Sequence, residues 1–275
     1  VIADHIAEGV VRLQSITDAP RLEAEVLLAH AMGLARTTLL AHPERELSVD
    51  QMADYHLFLS RRATGYPLPY LTGHVEFFGL EFSVTPDVLI PRPETELLVE
   101  LSIERKPRVV VDVGTGSGCI AVALATHLPD VRVFATDLSA AALRVAQANV
   151  RRHGLERRIH LVQADLFRSM HGPVDLLVSN PPYIADREWS SLPWSVRACE
   201  PRMALMGGAG GLTVVHRLLA SSSQLVRRGG AVLVEIGAGQ GQAVAALARS
   251  ICHGADVVIH PDLAGRDRVL ELVLS

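Results

Sequence analysis

The stretch VSNPPYIAD, Val178 to Asp186, ends an apolar run on a corner whose two prolines carry no backbone N–H. A residue before proline is pushed toward extended backbone, so Asn180 and Pro181 should both be extended. Such a corner offers acceptors: backbone carbonyls and the side-chain oxygen of Asn180. Two convergent acceptors suit a planar group with two N–H bonds, either a carboxamide or an exocyclic amine. A carboxylate would be repelled, and a group with one hydrogen would leave an acceptor unpaired, costing about 1–3 kcal/mol. Tyr183 adds an aromatic face or edge against that group. Asn180, Pro181, Pro182 and Tyr183 are therefore the candidate catalytic residues. An amide nitrogen is a poor nucleophile; accepting both of its hydrogens raises its electron density and stabilises the positive charge that builds on it during attack. No His or Glu base is required, because the proton can leave after the nitrogen has become cationic.

A second constellation precedes the first. VDVGTGSG places Gly114, Gly116 and Gly118, with Thr115 and Ser117 between them, where a strand meets its helix. Glycines there let backbone approach a ligand closely, and the helix N-terminus offers unpaired N–H groups. The spacing is GxGxG, so the dinucleotide fingerprint GxGxxG is not met. Asp137 ends the next strand, suited to accept from both hydroxyls of a ribose, and Asp165 ends the third, where it could receive an adenine amino group. Three such positions at the carboxyl ends of adjacent strands point to an adenosine-containing cofactor. The pattern resembles the class I S-adenosylmethionine-dependent methyltransferases, whose sheet likewise ends in an antiparallel strand. That resemblance implies an electrophilic methyl group, toward which the corner would aim the nitrogen.

These residues need a scaffold, and the period of the chain changes twice to supply it. Residues 1–71 read as a small helical bundle: APRLEAEVLLAHAMGL places Leu22, Val26, Leu27 and His30 at helical spacing, and Ser48 caps a helix carrying Met52, Tyr55 and Leu59. Residues 72–90 contain VEFFGLEFSV, a β-hairpin linker turning at Gly79. From 91 to 275, after a helix opened by Pro93, strands and helices alternate. Such alternation predicts an α/β, doubly wound, seven-stranded and mostly parallel sheet. Its last two strands are too close in sequence for a crossover, so the final one should be antiparallel. LTVVHRLLASSSQLVRR is expected to be one helix, and EWSSLPWSVRACEPRMALMGGAG a long irregular segment.

Composition narrows the functional classes. The 275 residues carry a net charge of −4, which argues against broad nucleic-acid binding through phosphate contacts. Three scattered cysteines suggest free thiols in a reducing compartment, and the twelve histidines show no metal-binding spacing. The opening VIADHIAEGV has early charges and no apolar core of a secretory signal, and there is no membrane-length apolar run. The expectation is a cytoplasmic monomer without a metal.

An NPPY corner after the fourth strand occurs in methyltransferases of adenine as well as of amides, so it leaves that choice open. Other stretches make it. PLPYLTGHVEFFGLEFSVTPDVLIPRPETELLVE, DVGTGSGCIAVALA, SNPPYI, EPRMALMGG, EIGAGQ and DLAGRDRVL together resemble the glutamine-N5 methyltransferases of peptide chain release factors, over essentially the whole chain. The resemblance implies methyl transfer from S-adenosyl-L-methionine to the side-chain nitrogen of the Gln in a release factor's Gly-Gly-Gln motif, supporting translation termination. It also implies that Gly114, Thr115, Gly116, Ser117, Gly118 and Asp137 bind the cofactor. Asn180 to Tyr183 would form the glutamine pocket, with Asn180 also touching the cofactor. Pro93 to Glu96, Thr95 included, would lie near the cofactor's methionine end, and the N-terminal helices would dock the substrate. Two positions depart from the family pattern. Leu166, beside the adenine, is commonly aromatic, and Gly210 is often Asp.

Overall fold

Five helices open the chain: α1 (Ile2–Leu13), α2 (Pro20–Met32), α3 (Arg36–Ala41), α4 (Val49–Ala63) and α5 (Leu68–Thr72). The computed structural model describes residues 1–168, 170 and 172–275. Val1–His74 and Pro193–Cys199 make one unit, Val75–Leu192 and Glu200–Ser275 the other. Where the sequence suggested a division after residue 71 and a linker to 90, nearly all of the hairpin belongs to the second unit. The first unit also takes in a distant segment, in which the Trp194 ring sits over Gly65, leaving 3.4 Å for an added Cβ.

In the first unit, Ser48 caps α4 reciprocally: its Oγ accepts the Gln51 N–H at 3.2 Å while Gln51 Oε1 accepts the Ser48 N–H at 3.0 Å. Ile2, Leu13, Leu27, Leu28, Leu39, Tyr55 and Leu59 fill the core. The expected face of α2 is corrected here. Leu22 and His30 are exposed and Val26 is half-buried, whereas Ala24, Glu25, Leu27 and Leu28 are buried. Because α2 packs against both α1 and α4, small Ala24 occupies the close approach and Leu22 is turned out. Buried Glu25 is tolerated because Arg21 Nε and Arg36 Nε donate to it at 2.9 and 2.8 Å. His5 and Glu8 on α1 meet His56 on α4, with ligand-type atoms within 4.8 Å of one another. No sequence spacing revealed this trio, since it spans two helices; Arg12 already pairs with Glu8 at 3.6 Å.

The second unit opens on a hairpin, β1 (His74–Phe77) and β2 (Leu80–Ser83). Its turn residues, Phe78 and Gly79, are both left-handed at φ 53° and 70°, which matches the twist of paired strands. A short 3-10 turn, Pro93–Thr95, leads into α6 (Glu96–Glu104). Then come β3 (Val109–Val113), α7 (Cys119–His127), β4 (Arg132–Asp137), α8 (Ala140–Arg152), β5 (Ile159–Gln163) and β6 (Val174–Ser179). After β7 (Ile184–Ala185), the stretch expected to be irregular instead contains α9 (Trp194–Cys199), α10 (Arg202–Leu205) and β8 (Met206–Gly208). The chain closes with α11 (Thr213–Ser222), β9 (Val226–Glu235), α12 (Gly241–Ile251), β10 (Asp256–Pro261) and β11 (Asp267–Val273). The helix expected through Arg228 stops at Ser222, and Val226 to Arg228 are strand. In the serine run, Ser221 and Ser222 hydroxyls turn back to the carbonyls of Arg217 and Leu219, a competition that weakens helices.

The seven main strands lie in the order β10-β11-β9-β6-β3-β4-β5. β11, last in sequence, runs antiparallel to both neighbours, and the other pairs are parallel, as the spacing of the last two strands required. Successive residues feed opposite layers: Val110, Leu176 and Leu233 join one core, Val111, Leu177 and Val232 the other. Both faces are thus covered, as a parallel sheet demands. The chain lays down β3, β4 and β5 in one direction and then returns across β3 to place β6. The crevice at such a reversal is where open α/β sheets bind ligands. At that crevice Ser179 Oγ donates to the Val113 carbonyl at 2.7 Å, tying the end of β6 to the end of β3.

Candidate active site

The turn after β3 is built from short backbone bonds and left-handed glycines. Gly114 and Thr115 N–H groups both donate to the Thr136 carbonyl, at 2.8 and 2.9 Å, tying the turn to β4. Gly114 and Gly116 have φ of 74° and 56°, and a Cβ added to either would meet nothing within 4 Å. Glycine is required there by conformation, and bare backbone faces a cleft of about 380 Å³. Gly118, left-handed at φ 81° at the start of α7, does not line the cleft; an added Cβ would press on Ala146 at 3.2 Å, so glycine there serves both the turn and the packing of α7 on α8. Asn149 on α8 holds the turn from behind, donating to the carbonyls of Ser83 and Ser117 at 2.9 and 2.8 Å.

Asp137 ends β4 and lines the cleft. Its Oδ1 accepts the Ser139 N–H at 2.8 Å and Oδ2 accepts the Gly116 N–H at 2.9 Å. Each oxygen keeps lone-pair capacity for a hydroxyl donor. Asp165 lies two residues beyond the end of β5 rather than on it, and both oxygens are engaged by Arg217 Nη2, at 2.8 and 2.7 Å. Arg217, from α11, was not legible in the sequence as a site residue. Leu166 is left-handed at φ 57°, an uncommon state for a residue with a Cβ, and it lines the cleft beside Asp165.

Asn180 follows β6 directly, and with Pro181 and Pro182 it borders the same cleft as the glycine turn. Asn180 Nδ2 donates to Thr95 Oγ1 at 3.0 Å, and the Thr95 hydroxyl donates to Glu235 Oε2 at 2.7 Å. Thr95 lines the cleft but is only 2% exposed, so its hydroxyl is committed to these partners. The corner's acceptors are distributed unevenly. The Tyr183 carbonyl accepts from Gln240 Nε2 at 2.9 Å, and the Pro182 carbonyl packs against Gly207. Tyr183 is not among the cleft-lining residues; burial pushes its phenol up to about 12, with Glu235 beside it.

Glu235, closing β9, is the residue that pattern-reading missed. The available signal was a carboxylate at the end of the apolar strand AVLVE. Its second oxygen, Oε1, has no hydrogen-bond partner among the described residues, while the Arg268 guanidinium and Tyr183 phenol lie near enough to favour its charge. Burial nevertheless pushes Glu235 up to about 7. Asp112, beneath the glycine turn, is pushed to about 7 for the same reason, although Thr115 Oγ1 donates to it at 2.6 Å. Two further stretches meet at Glu200, whose carboxylate pairs with Arg92 and accepts the Ile90 N–H at 3.2 Å.

Both raised carboxyls lie above their unfolded values near 4, so the stability they contribute is complete below about pH 4 and is lost as pH rises toward about 7. The ligand-free protein should therefore lose on the order of 10 °C in Tm between about pH 5 and pH 8 from these two groups. Asp112→Asn should flatten that slope in thermal scans across the range. An unchanged slope would contradict the assignment.

Comparison with known proteins agrees in chain length and in fold. Residues 4–73 match the family model described as the PrmC N-terminal domain, and residues 93–196 match the methyltransferase small domain. The release factor glutamine methyltransferase of Moorella thermoacetica is 48% identical over 96% of this chain and 95% of its own. That of Nitratidesulfovibrio vulgaris is 43% identical over 92% and 88%. Among solved structures, the hMettl16 catalytic domain in complex with MAT2A 3'UTR hairpin 6 superposes with TM-score 0.60 at 21% identity, over 79% of this chain and 82% of its own. A methyltransferase from Pyrococcus furiosus gives TM-score 0.53 at 16% identity, over 71% and 89%. At those identities the likeness is one of fold.

Proposed function

This chain belongs to the release factor glutamine methyltransferase family, and on that footing we propose that its cleft methylates the side-chain amide nitrogen of the Gln in a release factor's Gly-Gly-Gln motif. The observation that carries the reading is the Asn180 amide, held through Nδ2 by Thr95 beside the glycine turn, so that Oδ1 remains to accept.

S-adenosylmethionine, when bound, supplies an electrophilic methyl group on a sulfonium. The residues present suit that cofactor: Gly114 and Gly116 offer bare backbone, Asp137 retains acceptor capacity for ribose hydroxyls, and Leu166 offers an apolar surface to a base. Asp165 is already paired with Arg217, so an adenine amino group would share an engaged carboxylate. Asn180 Oδ1 and the Pro181 carbonyl accept the two hydrogens of the substrate amide, fixing its plane and raising electron density on nitrogen. The same acceptors stabilise the cation that forms as the N–C bond is made. The proton then leaves to water, so no buried base is called upon. The N-terminal helices, Val1–His74, supply the surface that docks the release factor. A cytoplasmic location follows from a substrate that works in translation; no helix among the described residues is long and apolar enough to cross a membrane.

Labelled S-adenosylmethionine offered with a release factor, its Gln→Ala form and unmethylated duplex DNA tests the reading. Label should enter only the Gln-containing factor. Label in DNA, or equal label in both factors, would remove the glutamine assignment. At the adenine position, Leu166→Phe should tighten cofactor binding about 2- to 10-fold, because stacking adds about 0.5–1.5 kcal/mol to dispersion. Calorimetric titration of both forms checks it, and weaker binding would show that the left-handed backbone rejects the ring.

A further inference from the structure

A primary amide turned by half a rotation presents a donor where it had presented an acceptor, so a pocket built on Asn180 works only if something sets which end faces the cleft. Two buried side chains do so in sequence. Glu235 Oε2 receives the single hydroxyl hydrogen of Thr95 at 2.7 Å. Having spent it there, Thr95 Oγ1 can only accept from Asn180, whose Nδ2 donates at 3.0 Å. Thr95 and Glu235 are 2% and 1% exposed, so water does not compete for either bond.

We propose that Thr95 and Glu235 are positioning residues that set the polarity of Asn180, holding its NH2 inward and its oxygen toward the substrate amide. The inference rests on the glutamine reading above and deepens it by naming what makes the pocket an acceptor. Protonation of Glu235 reverses the chain of bonds: the carboxyl then donates to Thr95 Oγ1, the Thr95 hydrogen is released toward Asn180, and the amide turns its oxygen inward. The groups facing Glu235 are Thr95 and Glu94 from the turn before α6, Tyr183 after β6, Arg268 from β11 and Cys119 opening α7. Burial and Glu94 favour the protonated form, and Arg268 the ionised one. Turnover should accordingly fall as pH drops below about 7, the value to which Glu235 is pushed.

Thr95→Val removes the hydroxyl at nearly constant volume, and Thr95→Ser restores it. With release factor as substrate, Thr95→Val should lower kcat about 10- to 100-fold, with KM and cofactor Kd within about 3-fold, and Thr95→Ser should recover most of the loss. In wild type, the Asn180 side-chain NH2 resonances should be protected from exchange at about pH 8 and should shift with the same midpoint as the acid limb of kcat. Thr95→Val with kcat within about 3-fold of wild type, or Thr95→Ser as impaired as Thr95→Val, overturns the proposal while leaving the glutamine reading intact. Should the valine form not fold, the wild-type spectrum decides: Asn180 resonances that exchange freely and ignore pH overturn it. A wild-type protein that labels no release factor overturns both readings together.

Discussion

Asn180→Ala should lower kcat by about two orders of magnitude or more while cofactor affinity stays within about 3-fold. The substitution removes the side-chain acceptor at the corner and leaves Thr95 still bonded to Glu235, so the buried partners behind it are disturbed little. What disappears is the contact that strengthens as charge builds on the attacking nitrogen, and such contacts act on turnover more than on ground-state binding. Asn180→Asp sharpens the test. A carboxylate there accepts the substrate amide but cannot donate to Thr95, so it should recover only part of the loss. Measured as kcat and calorimetric Kd side by side, loss of cofactor binding with undiminished turnover of the residual complex would contradict the assignment.

Asp137→Ala should raise the cofactor Kd about 100-fold or more, with kcat at saturating cofactor within about 5-fold. Hydrogen bonds to a charged acceptor contribute about 1.5–3 kcal/mol each, and a ribose offers two hydroxyls to this carboxylate. The effect has a second source inside the protein. The Gly116 and Ser139 N–H groups lose their acceptor, which loosens the glycine turn and the start of α8 together. Asp137→Asn separates the two, since one amide oxygen can still accept a backbone N–H; its Kd should rise only about 10-fold. Calorimetric titration of the three forms decides, and an unchanged Kd in Asp137→Ala would place the ribose elsewhere.

Both predictions concern residues that single-sequence pattern reveals, and the reason is local. Gly114 and Gly116 stand out because a left-handed turn excludes other residues, Asp137 because it closes a strand, and the NPPY corner because proline removes donors at the covalent level. Sheet topology was legible for a similar reason: alternation demands crossovers, and two strands too close for a crossover must be antiparallel. The face of α2 was less legible, because Leu22 and Ala24 can each be placed on an apolar stripe and only the approach of α1 and α4 chooses Ala24. The end of α11 depended on how serine hydroxyls were used, which periodicity does not record.

From the order of residues alone come the strand-and-helix alternation, the candidate cofactor residues at strand ends and the donor-free corner, because each depends on neighbours along the chain. Which oxygen of the site stays available was decided in three dimensions. Asp165 is taken up by Arg217 52 positions away, Glu200 by Arg92 at a separation of 108, and Asn180 is turned by Thr95 and Glu235, themselves 140 positions apart. Hydrogen-bond partners at such separations leave no periodic trace in a sequence, and burial, which shifts the carboxyl of Glu235, exists only once the sheet has closed around it.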